Sequence, residues 1–378
     1  MKIAQIAPLY ESCPPQLYGG TERVVSYLTE QLVKMGHEVT LFASGDSQTK
    51  AKLVPGSKRA LRLDPNVTDP LAYHMIMMGR VSQAAEDFDI LHFHTDYLHY
   101  PTFANGPFPI VTTLHGRQDL PDLPAVYREF CATPLVSISD DQRKPLPRAH
   151  WVKTIHHGLP QDLLPYGEGG GGYLAFIGRV SPEKRLDRAI EIACKAGIKL
   201  KVAAKVDKVD TAYFHEVIEP MLCDTVEFVG EINEEQKKSF LGNARALLFP
   251  IDWPEPFGLV MIEAMACGTP VLAFNCGSVP EVIEDGVNGI VVNSMDEAHE
   301  RLADVLKIDR KGVRARFEER FSVERMAQDY LDLYASLSRP ALPLRDAKDL
   351  LGAVSGPIYP KIEGGIEIPI AASPATVR

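Results

Sequence analysis

The chain has 378 residues, 45% hydrophobic and 24% charged, and its 40 basic against 50 acidic residues give a net charge of −10. This length suits two cores of ordinary size rather than one, and the acidic balance excludes the concentrated basic face that a nucleic-acid partner requires. Six cysteines, Cys13, Cys131, Cys194, Cys223, Cys267 and Cys276, lack CxxC spacing, so the sequence predicts reduced thiols with neither a zinc cluster nor a disulfide framework.

The elements alternate from the start. Residues 2–7 read as a short strand ending at Pro8, 21–35 as a helix stopped by Gly36, and 38–43 as a strand closed by Ser44-Gly45-Asp46. Further strands fall at 90–93, 110–114, 135–138 and 151–155, with helical stretches between several of them. Such repetition implies a parallel sheet with helices on both faces. Residues 167–172 (GEGGGG) have almost no side chains to pack and read as a flexible linker. The pattern then restarts with a strand at 173–177, a helix at 186–196 and strands at 198–204, 225–229, 246–249 and 270–274. Residues 322–337 form an amphipathic helix opened by Ser322, and beyond Pro340 the periodicity is lost.

The predicted fold is therefore α/β, with two Rossmann-like, doubly wound parallel-sheet domains facing a central cleft. The first domain spans 1–166, the linker 167–172, the second domain 173–321, a terminal helix 322–339, and a partly ordered tail 340–378. No early apolar run resembles a secretory signal, and none approaches the roughly 18 residues of a membrane span. The expectation is a cytoplasmic protein without an integral membrane segment, with peripheral membrane contact left open.

Ligands of doubly wound sheets bind outside the carboxyl ends of the strands, so the residues that follow strands are the candidates. In WPEPFGLVMIEAMACGTPV, from Trp253 to Val271, a helix is expected from 256 to 267, with Pro256 in its first turn and Gly268 past its end. Every residue from Leu259 to Ala266 is apolar except Glu263, so this carboxylate is buried and must have a partner. Glu255 lies at the helix entrance, beside free N–H groups that attract anions. The pair suits a nucleotide sugar, one carboxylate accepting from ribose and the other from the sugar. The plainer reading is a buried Glu263–Lys or Glu263–Arg pair with a solvated Glu255.

In FIGRVSPEKRLDRAI, from Phe176 to Ile190, Ser181 is expected to cap a helix flanked by Arg179 and Lys184, two cations suited to phosphate. The competing reading is salt bridging to Glu183 or Asp187. Gly19 and Gly20, before Thr21-Glu22, let backbone approach a ligand closely, although alone they read as a tight turn. No GxGxxG follows the first strand, which argues against a dinucleotide-binding dehydrogenase. His115 sits at a strand exit facing the cleft. His92 and His94 share one strand face, but no further ligand set has metal-site spacing, so no metal is predicted. Asp96 is the better candidate for an acceptor contact, and His156 and His157 read as turn residues before Gly158.

At these residues the chain resembles the family-4 retaining glycosyltransferases of GT-B fold. Glu255 and Glu263 reproduce the family's E-x7-E motif (EPFGLVMIE). Gly178-Arg179 with Lys184 resembles its diphosphate site, Gly19-Gly20 its glycine loop, and Thr113-Leu114-His115-Gly116 its sugar-side histidine loop. The stretch 268–292 is similar as well, and the likeness covers about residues 1–337.

The resemblance implies that Arg179 and Lys184 neutralise the leaving diphosphate without a metal or other cofactor. It implies that Glu263 holds the ribose, and that Glu255 with the backbone of Phe257, Gly258 and Leu259 holds the sugar. Gly19 and Gly20 would meet the phosphate, His115 the sugar near its reacting face, and Val229 and Gly230 the base. It also implies that the terminal helix crosses back onto the first domain. The partners are then a nucleotide-sugar donor, most commonly UDP-linked, and an unidentified glycan, lipid or small-molecule acceptor, with a role in polysaccharide or other glycoconjugate synthesis. The same architecture also serves nucleotide-sugar epimerases and glycan phosphorylases, and a two-lobed sugar-binding protein is the non-enzymatic alternative.

Overall fold

The computed structural model describes residues 1–16 and 19–338. Tyr18 and the predicted tail at 340–378 lie outside them. The first sheet holds β1 (Lys2–Ile6), β2 (Glu38–Ser44), β3 (Lys52–Ser57), β4 (Ile90–Phe93), β5 (Ile110–Thr113), β6 (Leu135–Ser137) and β7 (Trp151–Thr154), in the order β3-β2-β1-β4-β5-β6-β7. The second holds β8 (Tyr173–Arg179), β9 (Lys199–Lys205), β10 (Val226–Gly230), β11 (Ala246–Phe249), β12 (Val271–Phe274) and β13 (Gly289–Val292), in the order β10-β9-β8-β11-β12-β13. All the pairings are parallel.

Strand order reverses between β1 and β4 in one sheet and between β8 and β11 in the other. Loops leaving strands on either side of such a reversal diverge and open a crevice. The loops after β1, β4, β8 and β11 carry Glu11, Asp96, Lys184 and Glu255 respectively. The topology alone thus delivers the candidate residues to the strand ends that bind ligands.

Two strands were not predicted. β3 (KLVPGS) contains Pro55 and Gly56, which break a strand pattern, but it is an edge strand, where a missing N–H is tolerated. β13 has only four residues and closes the other sheet at its edge.

The glycine run is not a flexible linker. Gly167, Gly169 and Gly171 donate backbone hydrogen bonds to Cys267, Gly242 and Asn243 carbonyls at 3.1, 3.0 and 2.9 Å. Arg310 adds a clamp, its guanidinium donating to the carbonyls of Gly167 (2.8 Å), Ala244 (2.9 Å), Gly242 (3.1 Å) and Cys267 (3.3 Å), and to the Thr269 hydroxyl (2.7 Å). Glycine is needed here for proximity, since a Cβ on Gly167 would stand 2.3 Å from the Gly242 oxygen.

The terminal helix, Val323–Leu337, is capped by the Ser322 side chain, which accepts from Arg325 N–H. Its buried side chains Val323, Met326, Ala327, Tyr330, Leu333 and Tyr334 join Ile3, Val24, Leu28, Ile90 and Val111 in the core of the first sheet. Burying six such side chains is worth at most on the order of 10 kcal/mol. That is enough to hold the helix across the first domain.

Candidate active site

A cleft of about 730 Å³ runs between the strand ends of the two sheets. That volume is ample for a ligand larger than a single sugar. Arg179, Lys184, Glu255, Phe257, Gly258, Leu259 and Glu263 line one wall, and Gly19, Gly20, Asp96 and His115 line the other.

On the second-domain wall the local structure departs from expectation twice. Ser181 caps no helix, since its hydroxyl has no cap bond, Pro182–Lys184 is a single 3-10 turn, and the helix begins at Leu186. Between them Arg185 sits at φ +55, a left-handed kink that interrupts the helical path. Its guanidinium is held by Asp187 at 2.8 Å and Asp252 at 2.7 Å.

The second departure is the helix expected to begin at 256, which instead starts at Leu259. Gly258, at φ +77, cannot continue a right-handed helix backwards, so Pro256 and Phe257 stay in the loop. That loop is braced from β12's exit. Ser278 N–H donates to the Glu255 carbonyl at 3.0 Å, and Ser278 Oγ donates to the Phe257 carbonyl at 2.8 Å.

Lys184 and Glu255 meet directly. Lys184 Nζ donates to Glu255 Oε2 and lies 5.0 Å from the centre of the Trp253 ring. Trp253 Nε1–H donates to the same oxygen at 2.9 Å. Glu255 is therefore not the solvated group of the plainer reading. For Arg179 the plainer reading does hold in part, because it pairs with Glu183 at 2.8 Å and faces Asp207 and Asp210 at 3.7 and 3.8 Å.

Glu263 is 4% exposed and has the lysine partner that burial demands, Lys237, at 2.8 Å. Burial alone would lower the Lys237 pKa, but Glu263 and Glu234 outweigh it and raise it, so the ammonium stays charged. Glu234 continues the chain to Arg23 at 3.0 Å and the Tyr27 hydroxyl at 3.2 Å, both on the first domain's Gly20–Lys34 helix. Lys237, Glu234, Trp253 and Ser278 were not singled out from sequence. Nothing in local pattern distinguishes them from ordinary surface or turn residues.

Val229 and Gly230 are not brought into the cleft. β10 is an edge strand, Val229 is 37% exposed, and Gly230 at φ +78 turns the chain. The next residues, Glu231, Ile232, Asn233 and Glu234, line the cleft in their place.

On the first-domain wall Gly19 is required by contact, since a Cβ there would stand 2.8 Å from Pro15 Cβ. Gly20 faces Leu259 across the cleft, at 3.7 Å from the place its Cβ would occupy. Asp96 takes φ +49, and crowding by the cleft walls raises its pKa even though its side chain opens onto the cleft space. Two further carboxylates line this wall, Glu11 and Glu22. Burial raises both pKa values, against the pull of Arg62 on Glu11.

His115 stacks on His157 with ring centres 5.3 Å apart, and His157 packs edge-on against Phe257 at 4.8 Å. His157 is thus a buried cleft residue rather than a turn residue. Burial pushes the His115 pKa down to about 3, so the ring is neutral at ordinary pH. His92 and His94 are links in a hydrogen-bond network with Gln5, Thr113 and Tyr334.

The chain is similar to known proteins in sequence and in fold. Residues 168–321 match the family described as Glycosyl transferases group 1, and residues 18–158 match Glycosyltransferase Family 4. A glycogen synthase of Mycobacterium tuberculosis is 26% identical over 355 residues, covering 79% of this chain and 84% of that protein. A D-inositol 3-phosphate glycosyltransferase of Mycolicibacterium smegmatis is 24% identical over 336 residues, covering 74% and 76%. Among solved structures, Anabaena HepE in complex with UDP and glucose shares the fold. It has a TM-score of 0.69 and 18% identity, covering 89% of this chain and 100% of that one. With both halves matched and two Rossmann-like domains facing one cleft, the chain belongs to the family-4 glycosyltransferases of GT-B fold, and it is an enzyme of glycosyl transfer.

Proposed function

We propose that the protein transfers a hexose from a UDP-linked donor to a hydroxyl acceptor, with retention of configuration and with side-chain cations in place of a metal. The observation that carries this reading is the Lys184–Glu255–Trp253 cluster beside Arg179, facing His115 across the cleft. The relative HepE, bound to UDP and glucose, supports the choice of donor class.

In this reading Lys184 exchanges Glu255 for the diphosphate and Arg179 exchanges Glu183 for it. Glu255, released, accepts from sugar hydroxyls together with the N–H groups around Phe257, Gly258 and Leu259. Glu263 accepts from the ribose, with Lys237 keeping its charge compensated, and Gly19 and Gly20 admit the phosphate. Asp96 contacts the acceptor. The acceptor oxygen attacks the anomeric carbon on the face from which the diphosphate departs. The bond from that carbon to the phosphate oxygen breaks, and the acceptor proton passes to the leaving phosphate. Catalysis is then positioning plus charge stabilisation at the departing oxygen.

The test is a thermal-shift panel of UDP, GDP, ADP, UDP-glucose and free sugars on wild type and Glu263→Ala. A ligand at 100 times its Kd adds roughly 2.7 kcal/mol of stability. Stabilisation by UDP and UDP-glucose, lost in Glu263→Ala, is the expected result. A response to free sugars alone that survives Glu263→Ala overturns the reading.

The brace behind Glu255 offers a second check. A Cβ on Gly277, at φ +58, would stand 2.3 Å from the Glu255 backbone nitrogen. Gly277→Ala is expected to push the Glu255 loop outward and lower donor kcat/KM by about tenfold or more, the kinetic equivalent of about 1.4 kcal/mol of misplacement. Initial rates at varied donor decide it. A lowered Tm with unchanged kinetics would separate the brace from the site.

A further inference from the structure

Behind His115 runs a chain of buried polar side chains. His115 Nε2 meets His94 Nδ1 at 2.8 Å, and His94 Nε2 meets Gln5 Oε1 at 2.9 Å. Gln5 Nε2 donates to the Tyr334 hydroxyl at 3.0 Å, and that hydroxyl meets His92 Nδ1 at 2.6 Å. His92 Nε2 meets Thr113 Oγ1 at 2.7 Å, which lies 2.9 Å from the Tyr330 hydroxyl. Gln5, His92, His94, Thr113, Tyr330 and Tyr334 are each at most 2% exposed, so water cannot stand in for a missing partner.

A neutral imidazole has one donor nitrogen and one acceptor nitrogen, and fixing either fixes the other. Only the Gln5 amide in this chain has one atom that can only accept and another that can only donate, and the orientation it takes here, oxygen toward His94 and nitrogen toward Tyr334, gives the chain its direction. Its oxygen can only accept, so His94 carries its proton on Nε2 and leaves Nδ1 bare. Bare Nδ1 must accept, so His115 carries its proton on Nε2 and presents Nδ1 as an acceptor. On the other side the Gln5 amino group needs an acceptor, which is Tyr334 oxygen. The tyrosine proton then goes to His92 Nδ1, and His92 Nε2–H goes to Thr113. Every link agrees in direction. Turning the amide over would reverse each of them, and the Tyr334 hydroxyl couples that reversal to the His92 side of the chain.

We propose that Gln5, His94 and Tyr334 are positioning residues that set the tautomer of His115 from behind the sheet. His115 is thereby made a hydrogen-bond acceptor for a hydroxyl of the donor sugar. The ring plane is already held by stacking on His157, so the tautomer is the remaining variable. Tyr334 lies on the terminal helix, so that helix serves the site as well as the core. The role in donor selection rests on the reading of His115 as a sugar contact, whereas the tautomer does not.

The test uses the full chain with ¹⁵N-labelled histidine and long-range proton–nitrogen correlation at pH 8, where these rings are neutral. The His115 signal is identified by its loss in His115→Gln. The expected wild-type result is a single Nε2–H tautomer. Gln5→Leu removes the amide, and Tyr334→Phe keeps the ring but frees the amide to turn over, so either is expected to give mixed or Nδ1–H His115. Both are also expected to lower donor kcat/KM by about tenfold, the worth of one misdirected hydrogen bond, with acceptor KM unchanged. An Nδ1–H wild type, or a tautomer indifferent to both substitutions, overturns the proposal. So does a changed tautomer with unaltered donor kinetics. Failure of the donor reading would look different, as a wild type that turns over no nucleotide sugar while the spectra behave as expected.

Discussion

Lys184→Ala is expected to lower kcat by about 10²- to 10³-fold while acceptor KM stays within about twofold. The magnitude is that of removing one fixed donor aimed at charge that develops only in the transition state. The ammonium is held at the cleft wall by Glu255 Oε2 and the Trp253 ring. Its loss does more than delete a cation. Glu255 would keep only Trp253 Nε1–H on that oxygen, and its carboxylate would face the departing diphosphate uncompensated. The two residues therefore act as a unit, and their effects should not add. Lys184→Ala/Glu255→Gln is expected to be less impaired than the product of the single losses, since the second change removes the repulsion that the first exposes. Single-turnover rates at saturating donor separate chemistry from binding. Turnover equal to wild type in Lys184→Ala would remove this residue from the catalytic assignment.

Much of the site was legible because its residues lie on loops that follow strands, and strand exits can be read from short apolar runs. Glu263 stood out as the only polar residue in an otherwise apolar helix, and burial with a partner followed from charge alone. Its partner could not be found that way. Lys237 lies on a helix whose pattern is that of a solvated surface, and only the packing of that helix against Glu263 gives it meaning. The glycine run misled for a related reason. Absence of side chains signals flexibility unless something else grips the backbone, and the grip is Arg310, 143 residues from Gly167. A helix start was misplaced at Gly258 and the expected Ser181 cap failed ahead of Arg185, in each case where one left-handed residue intervened, while the helix predicted at 186–196 formed as read. Propensity favours helix there, and the tertiary brace of Ser278 and the Arg185–Asp187–Asp252 cluster overrides it. His92 and His94 could be seen to share a face, but their partners Gln5 and Tyr334 come from opposite ends of the described chain.

The same histidines predict acid lability. Burial, with smaller contributions from neighbouring rings for some, holds the pKa values of His92, His94, His99 and His157 well below the ordinary value, and that of His115 at about 3. The unfolded chain regains pKa values near 6.5 and binds protons that the folded state refuses. The sign follows. Stability from these groups is complete above about pH 6.5 and is lost as pH falls below it, down to their folded pKa values. Each histidine contributes a slope of about 1.4 kcal/mol per pH unit once well below 6.5, so five together cost roughly 5 kcal/mol between pH 6.5 and 5.5. That rivals the whole stability of an ordinary domain. Glu11, Glu22 and Asp96 act in the opposite sense, because their raised pKa values let the folded state take up protons first. They offset part of the loss at lower pH. Cooperative unfolding is therefore expected near pH 5, with net proton uptake, followed by near-UV circular dichroism. His99→Gln supplies the control. His99 stacks on Phe93 and lies outside the cleft lining, and its Nδ1 is buried without a partner, so a protonated ring there would be costly. Removing it should flatten the dependence of stability on pH by about a fifth and move the midpoint to lower pH. A protein that stays folded to pH 4, or a midpoint unmoved in that variant, would place the acid sensitivity in paired carboxylates whose pKa values are lowered, such as Glu281 and Asp329, instead.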